Sequence, residues 1–255
     1  MNYLLQGNEQ IISRITEPEA LHTHVLSTVK LEQPITSDKV KEFFSTTYGY
    51  SHLGAAIVNN LVDKSLNLLT EMQLTYHNNG VCNTTLMGNK ICELYIDPLS
   101  YPKILVALGE PFSVNHWLET ICSLYDFEAR SNIEWPVVLG RWINETPKDR
   151  LIVGGGDLNL AVELSTWLIY SSQVIASLRN FRDKANQLEE LSIRMKYGIR
   201  SELIPLCKIK WVGREISRAL FNIGITDAKS LKENISRSSV KHACGRFYNR
   251  IADEL

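Results

Sequence analysis

The chain has 255 residues, 44% of them hydrophobic, enough to bury real cores, and at roughly 100 to 150 residues per domain it should fold as two or three globular units. No stretch approaches the roughly 20 uninterrupted apolar residues a membrane span needs, and Glu9, Arg14, Glu17 and Glu19 are out of place in a secretory leader, so a soluble cytoplasmic protein without a membrane partner is expected. The net charge of -1 conceals an asymmetry: up to Ala176 there are 11 Lys and Arg against 19 Asp and Glu, or -8, and beyond it 16 against 9, or +7. A basic C-terminal third points either to an anionic partner, most often nucleic acid, or to a merely solvated basic surface.

In chain order, apolar residues recur three and four apart through "EALHTHVLSTVK", "SDKVKEFFSTTY" and "LGAAIVNNLVDKSLNLLTEM", which predicts three successive helices. In "MQLTYHNNGVCNTTLMG", Asn79-Gly80 supplies the positive φ values of a two-residue hairpin turn between short strands. Three helices and a hairpin describe a winged helix, a fold used for nucleic acid or for protein docking, and the acidic balance here favours docking. Asp97 is expected to cap a helix begun by Pro98, and helices with interruptions at Gly109-Glu110-Pro111 and Trp135-Pro136 follow as a bundle. After Gly154-Gly155-Gly156, Asp157 is expected as the N-cap of a helix of about seven turns. Its buried stripe should run through residues 161, 164, 168, 171, 175 and 178. A second apolar strip, Leu160, Trp167, Val174 and Phe181, is wider than covering a single core requires.

The last section holds two helices around a glycine turn, then "DAKSLKENI" and a closing basic helix, "SSVKHACGRFYNRIADEL". In "IKWVGREISRALFNIGI" the glycine, Gly213, opens onto a basic amphipathic helix. Such a turn can aim backbone N–H groups at an anion, where the helix dipole adds partial positive charge; the alternative is an ordinary helix start. Lys208 and Lys210 precede it, and Arg214 and Arg218 share one face of the helix.

Chemistry-bearing motifs are sparse. Gly49 and Gly54 have the spacing of a phosphate-binding loop, but Ala55-Ala56 stand where lysine and Ser/Thr are required. The triple glycine lacks the order of a dinucleotide site. His22 and His24, two apart on a helix, point in different directions, so no metal is expected. The five cysteines, Cys82, Cys92, Cys122, Cys207 and Cys244, are scattered in apolar surroundings without a C-x-x-C pair and read mostly as core thiols. No catalytic triad, elbow or paired carboxylate stands out, and neither catalysis nor a cofactor is expected.

Three stretches, in order, resemble the C-terminal half of the Ski-type superfamily II DNA helicases, especially the archaeal fork-remodelling enzymes related to human helicase Q. "TLMGNKICELYIDPLS" resembles the end of that family's winged helix and the start of its ratchet domain. "GDLNLAVELSTWLIYSS" resembles its ratchet helix, and "RMKYGIRSELIPLCKIKWVGREISRALFNIGI" its C-terminal helix-hairpin-helix. Weaker similarity begins near "EQIISRITEPEALHTHVLST", and the RecA-like motor domains are not in the sequence. The resemblance implies a mainly α fold: a winged helix over residues 1–94, a helical ratchet bundle over 95–190 and a helix-hairpin-helix over 191–255. It implies single-stranded or forked DNA as partner, a role in DNA repair, and a motor subunit or repair protein as a further partner.

By the same resemblance, Trp167 takes the place of the ratchet aromatic on which a base stacks. Leu160 stands where the family tends to carry a basic residue, and Trp211 stands at the first glycine of the family's glycine–apolar–glycine turn. Lys208, Lys210, Gly213, Arg214 and Arg218, assisted by Arg194 and Lys196, would grip the backbone without sequence preference. Three functions follow as expectations: a non-catalytic DNA-binding module, a protein interaction scaffold, or part of an ATP-dependent helicase whose motor lies elsewhere.

Overall fold

The computed structural model describes residues 18–129 and 132–255; Glu9, Arg14 and Glu17 lie outside the described residues. The apolar periodicity at the start folds as α1 (Pro18–Glu32), α2 (Ser37–Ser45), α3 (Tyr48–Leu53) and α4 (Ala55–Glu71), the short α3 being one helix more than the periodicity predicts. Hydroxyl caps punctuate the series: the side chains of Thr36 and Thr47 accept hydrogen bonds from the backbone N–H groups of Lys39 and Tyr50, satisfying donors that the first helical turn leaves orphaned. Leu21, Val25, Leu26 and Val29 of α1 and Val58, Val62, Leu66 and Leu69 of α4 are buried, and α1 packs along α4. His22 meets Ser65 Oγ at 2.6 Å inside that contact, whereas His24 is exposed.

The hairpin forms as the turn residues require. β1 (Thr75–Asn78) pairs antiparallel with β2 (Val81–Thr84), and Asn79 and Gly80 both take positive φ, 50° and 80°, the combination a type I′ turn needs. Ile35 bridges to Cys82 and so adds a third rung. Thr85 caps α5 (Leu86–Leu94). Gly88 then lies so close to the Leu74 carbonyl that an added Cβ would sit 2.0 Å from its oxygen, so α5 packs on the hairpin only through a glycine.

The chain divides into two compact units, residues 1–105 and 106–255, within helix α6 (Ser100–Gly109). That helix begins two residues later than expected: Asp97 Oδ1 accepts from the Leu99 N–H at 2.7 Å in a turn preceding it. In the second unit, α7 (Val114–Cys122) and α8 (Trp135–Ile143, with Pro136 in its first turn) pack together and against α9 (Gly155–Leu178). The 24 residues of α9 match the expected seven turns, but its N-cap is Gly154, and Asp157 lies in the first helical turn. A carboxylate there still complements the dipole.

Of the predicted stripe on α9, Ala161, Leu168, Ser171 and Ile175 are buried, while Leu178 is exposed beyond the end of the contact. Helix α10 (Arg182–Tyr197) runs back along α9, burying Ala185, Leu188, Leu191 and Met195. Gly198 ends it with a φ of 67°.

From there a separate small core gathers Ile199, Leu203, Leu206, Val212, Leu220, Leu231, Val240 and Ile251. It is built from α11 (Ile204–Cys207), α12 (Arg214–Asn222), α13 (Ala228–Asn234), α14 (Ser238–Cys244) and α15 (Tyr248–Ala252). The expected single closing helix is broken at Gly245, whose φ is 51°. The sharp bend before α12 also differs from expectation. Gly213 is extended, with φ -100° and ψ -172°, and the residue in the left-handed region is Trp211, at 70°.

Candidate nucleic-acid interface

The exposed side of α9 carries Asn159, Val162, Glu163, Thr166, Trp167 and Tyr170 at three- and four-residue spacing, which places them on one face. That face lines a cleft of about 1460 Å3 together with residues 207–216 of the C-terminal core, and Trp142, Lys148, Ser192, Lys196, Tyr197 and Phe247 complete the lining. Five cations (Lys148, Lys196, Lys208, Lys210 and Arg214) face it against two carboxylates, Glu163 and Glu215. A concavity lined by aromatic rings and an excess of positive charge can bind an extended anion carrying flat groups.

Seven of the nine residues singled out in the sequence line this cleft: Trp167, Lys196, Lys208, Lys210, Trp211, Gly213 and Arg214. Trp167 is half-buried and Lys196 and Lys208 are exposed. Lys210 pairs with Glu254 at 2.5 Å. The Trp211 ring, 43% exposed, stacks on Phe247 at 6.4 Å and 15°, with the Arg250 guanidinium 4.8 Å from its centroid. Gly213 leaves its backbone open, since a Cβ there would meet nothing within 4 Å.

Arg214 is held rather than free. Its guanidinium lies 4.6 Å from the Trp142 ring centre, and Nη2 donates to the Thr146 carbonyl at 2.7 Å. Burial depresses its pKa, partly offset by Glu215 and Glu145.

Two residues do not join the cleft. Arg218 donates Nε and Nη2 to the Glu145 carboxylate at 2.8 and 2.9 Å, and Nη2 also to Glu202 at 2.7 Å. This bidentate pairing, and the charge of the two carboxylates, push the Arg218 pKa up. Arg194 directs Nε at the Ile199 carbonyl, and its burial lowers its pKa. Both arginines fasten the C-terminal core to the helices before it.

Residues 113–198, spanning α7 to α10 and including Trp167, match the family model described as archaeal helicase, domain 4. Three relatives, each described as an ATP-dependent DNA helicase Hel308, extend the similarity. The Thermoplasma volcanium protein is 26% identical over 90% of this chain and 38% of its own length. The Methanocaldococcus jannaschii protein is 26% identical over 99% and 23%, and the Pyrococcus horikoshii protein 44% identical over 38% and 14%. The chain is similar to the C-terminal region of the Ski-type archaeal helicases. It spans well under half the length of these helicase relatives.

Several helicase-region residues in the cleft escaped sequence reasoning. Trp142 is the pillar of its floor: Nε1 donates to the Met195 carbonyl at 2.7 Å, Arg214 lies on its ring, and Lys148 Nζ is 5.4 Å from its centre. Gly198 is pressed against it so tightly that a Cβ would fall 2.4 Å from Cε2. Trp142 looks like one more apolar position of α8, and only tertiary contact brings it to the C-terminal core. Tyr170 had a usable signal, lying three residues beyond Trp167 on the same helical face.

Proposed function

We propose that this chain is a non-catalytic DNA-binding module that takes single-stranded or forked DNA along the cleft, gripping it without sequence dependence. One observation carries the reading: the exposed face of α9 bearing Trp167 lines one cleft together with Lys148, Lys196, Lys208, Lys210 and Arg214. A base stacked on an aromatic ring gains roughly 1 to 3 kcal/mol whatever its identity, and the lysines of the lining supply the phosphate contacts. Similarity to relatives named ATP-dependent DNA helicases supports DNA as the polymer. The three-part division of winged helix, ratchet bundle and helix-hairpin-helix belongs to the same proposal, as does the absence of ATPase activity from this chain assayed alone.

The test is titration of a fluorescently labelled oligothymidylate at low and moderate salt. Trp167→Ala should weaken binding by roughly tenfold, and Lys208→Ala with Lys196→Ala should weaken it further and flatten the salt dependence. Unchanged affinity in both variants would refute the assignment.

A second reading, that the first unit docks a protein such as a motor subunit, is favoured by its exposed apolar side chains. Leu31, Phe43, Ile57, Leu86 and Tyr95 are all more than half exposed, apolar surface that a docked partner would cover. The two readings concern different units and are compatible in a helicase whose motor lies outside this chain.

A further inference from the structure

The cleft contains a residue that a pure phosphate grip does not call for. Glu163 lies one helical turn before Trp167 on α9, both side chains line the cleft, and the spacing of four residues makes them neighbours on one face. Glu163 is exposed, and among the described residues no cation is paired with it. In a groove meant for a polyanion an unpaired carboxylate repels the ligand, so a sequence-indifferent grip would be better off without it.

We infer that Glu163 reads the edge of the base stacked on Trp167 and makes the cleft prefer guanine. The inference rests on the proposed reading that a strand lies in the cleft; the phosphate grip stays indifferent to sequence, and a bias is added at the one base stacked on Trp167. An ionised carboxylate only accepts hydrogen bonds, and has two oxygens with which to do so. Guanine is the one base whose Watson–Crick edge offers two adjacent donors, N1–H and the N2 amino group, a bidentate match to those oxygens. Adenine and cytosine each set a single amino donor beside an acceptor nitrogen. Thymine and uracil flank one donor with two carbonyl acceptors, which a carboxylate repels. The order of preference is therefore guanine, then adenine and cytosine, then thymine.

The rest of the lining fits this division of labour. Lys208 and the open backbone at Gly213 line the cleft from the C-terminal core, where Lys210 is paired with Glu254 and Glu215 lies next to the Arg214 charge, so phosphates are drawn to Lys208 and Gly213 and bases are left toward α9.

The experiment compares the whole chain on two labelled oligonucleotides of equal length, oligothymidylate and the same strand with isolated guanines at every third position, too sparse to form quadruplexes. The guanine-bearing strand should bind about fivefold tighter. Glu163→Gln should bring the ratio close to one while binding oligothymidylate as well as or better than the parent, because a repulsive charge is gone. Trp167→Ala should lose the ratio together with affinity. A ratio near one in the parent chain, or a ratio that survives Glu163→Gln, would overturn the inference and leave the DNA-binding proposal standing. Failure of both strands to bind would overturn both.

Discussion

Trp211 occupies a backbone conformation that suits glycine. At a φ of 70° a side-chain-bearing residue incurs roughly 1 to 2 kcal/mol, and the stacked Phe247 and the Arg250 guanidinium hold it there. Two substitutions separate strain from packing. Trp211→Ala loses the stack and keeps the strain, whereas Trp211→Gly loses the stack and relieves it. Urea denaturation should therefore find the alanine variant about 1 kcal/mol less stable than the glycine variant; the reverse order would mean the strain is not there. Gly213 behaves oppositely, being extended with open space around it. Gly213→Ala should change stability by no more than about 0.5 kcal/mol, and any loss of DNA affinity it causes measures how closely a phosphate approaches. From the sequence, Gly213 is the evident turn-maker, because glycine marks turns by composition. The residue that turns is a tryptophan, because the aromatic and cationic partners that secure it come from residues 247 and 250, near the end of the chain.

At the scale of elements, the periodic helices and the hairpin were legible because their causes are local: apolar spacing for α1, α4 and α9, and the positive φ demanded of Asn79 and Gly80. Cap positions were less so. Asp157 has the chemistry of an N-cap, but with three glycines before it the helix begins at Gly155. Least legible was the fastening of the C-terminal core, since Glu145 and Arg218 are 73 residues apart and nothing in either neighbourhood announces the pair. The Gly198–Trp142 contact, 56 residues apart in the chain, was equally hidden. Gly198→Ala adds both left-handed strain and a methyl group within 2.4 Å of the indole, and should cost at least about 3 kcal/mol by thermal or urea unfolding.

Acid should loosen this region too. Burial raises the Glu202 pKa, but the Arg218 hydrogen bond and charge outweigh it and hold the carboxyl below its ordinary 4.5. A group whose folded pKa is depressed contributes its full stability above the unfolded value and loses it as pH falls through the folded one. Unfolding midpoints should accordingly drop below about pH 4.5, with Asp227, also depressed, sharing the effect, while the depressed Glu93 acts in the same direction in the first unit. Glu202→Gln should make that acid limb shallower; an unaltered limb would remove Glu202 from the account.

For the whole molecule, the charge asymmetry visible in the sequence overstates the grip. Sixteen cations beyond Ala176 suggest many phosphate contacts, yet Arg218 and Lys210 are paired to carboxylates and Arg194 is directed at a carbonyl. Of those sixteen, only Lys196 and Lys208 remain as cleft lysines without an ion pair among the described residues, joined by Lys148 from before Ala176. At about 0.7 per phosphate for a single strand, three contacts predict a slope of log affinity against log salt of roughly -2. A slope steeper than about -4 would place the strand on a different surface.

The five tryptophans of the chain are unevenly distributed. Trp117 and Trp135 are buried away from the cleft, Trp142 is buried beneath it, and Trp167 and Trp211 border it with part of their rings exposed. The molecule thus carries its own optical reporter: a nucleobase entering the cleft should quench intrinsic emission from Trp167 and Trp211 while the three buried indoles keep shining, so occupancy can be followed on the unlabelled protein, and removal of either accessible indole would show where along the groove the quencher rests.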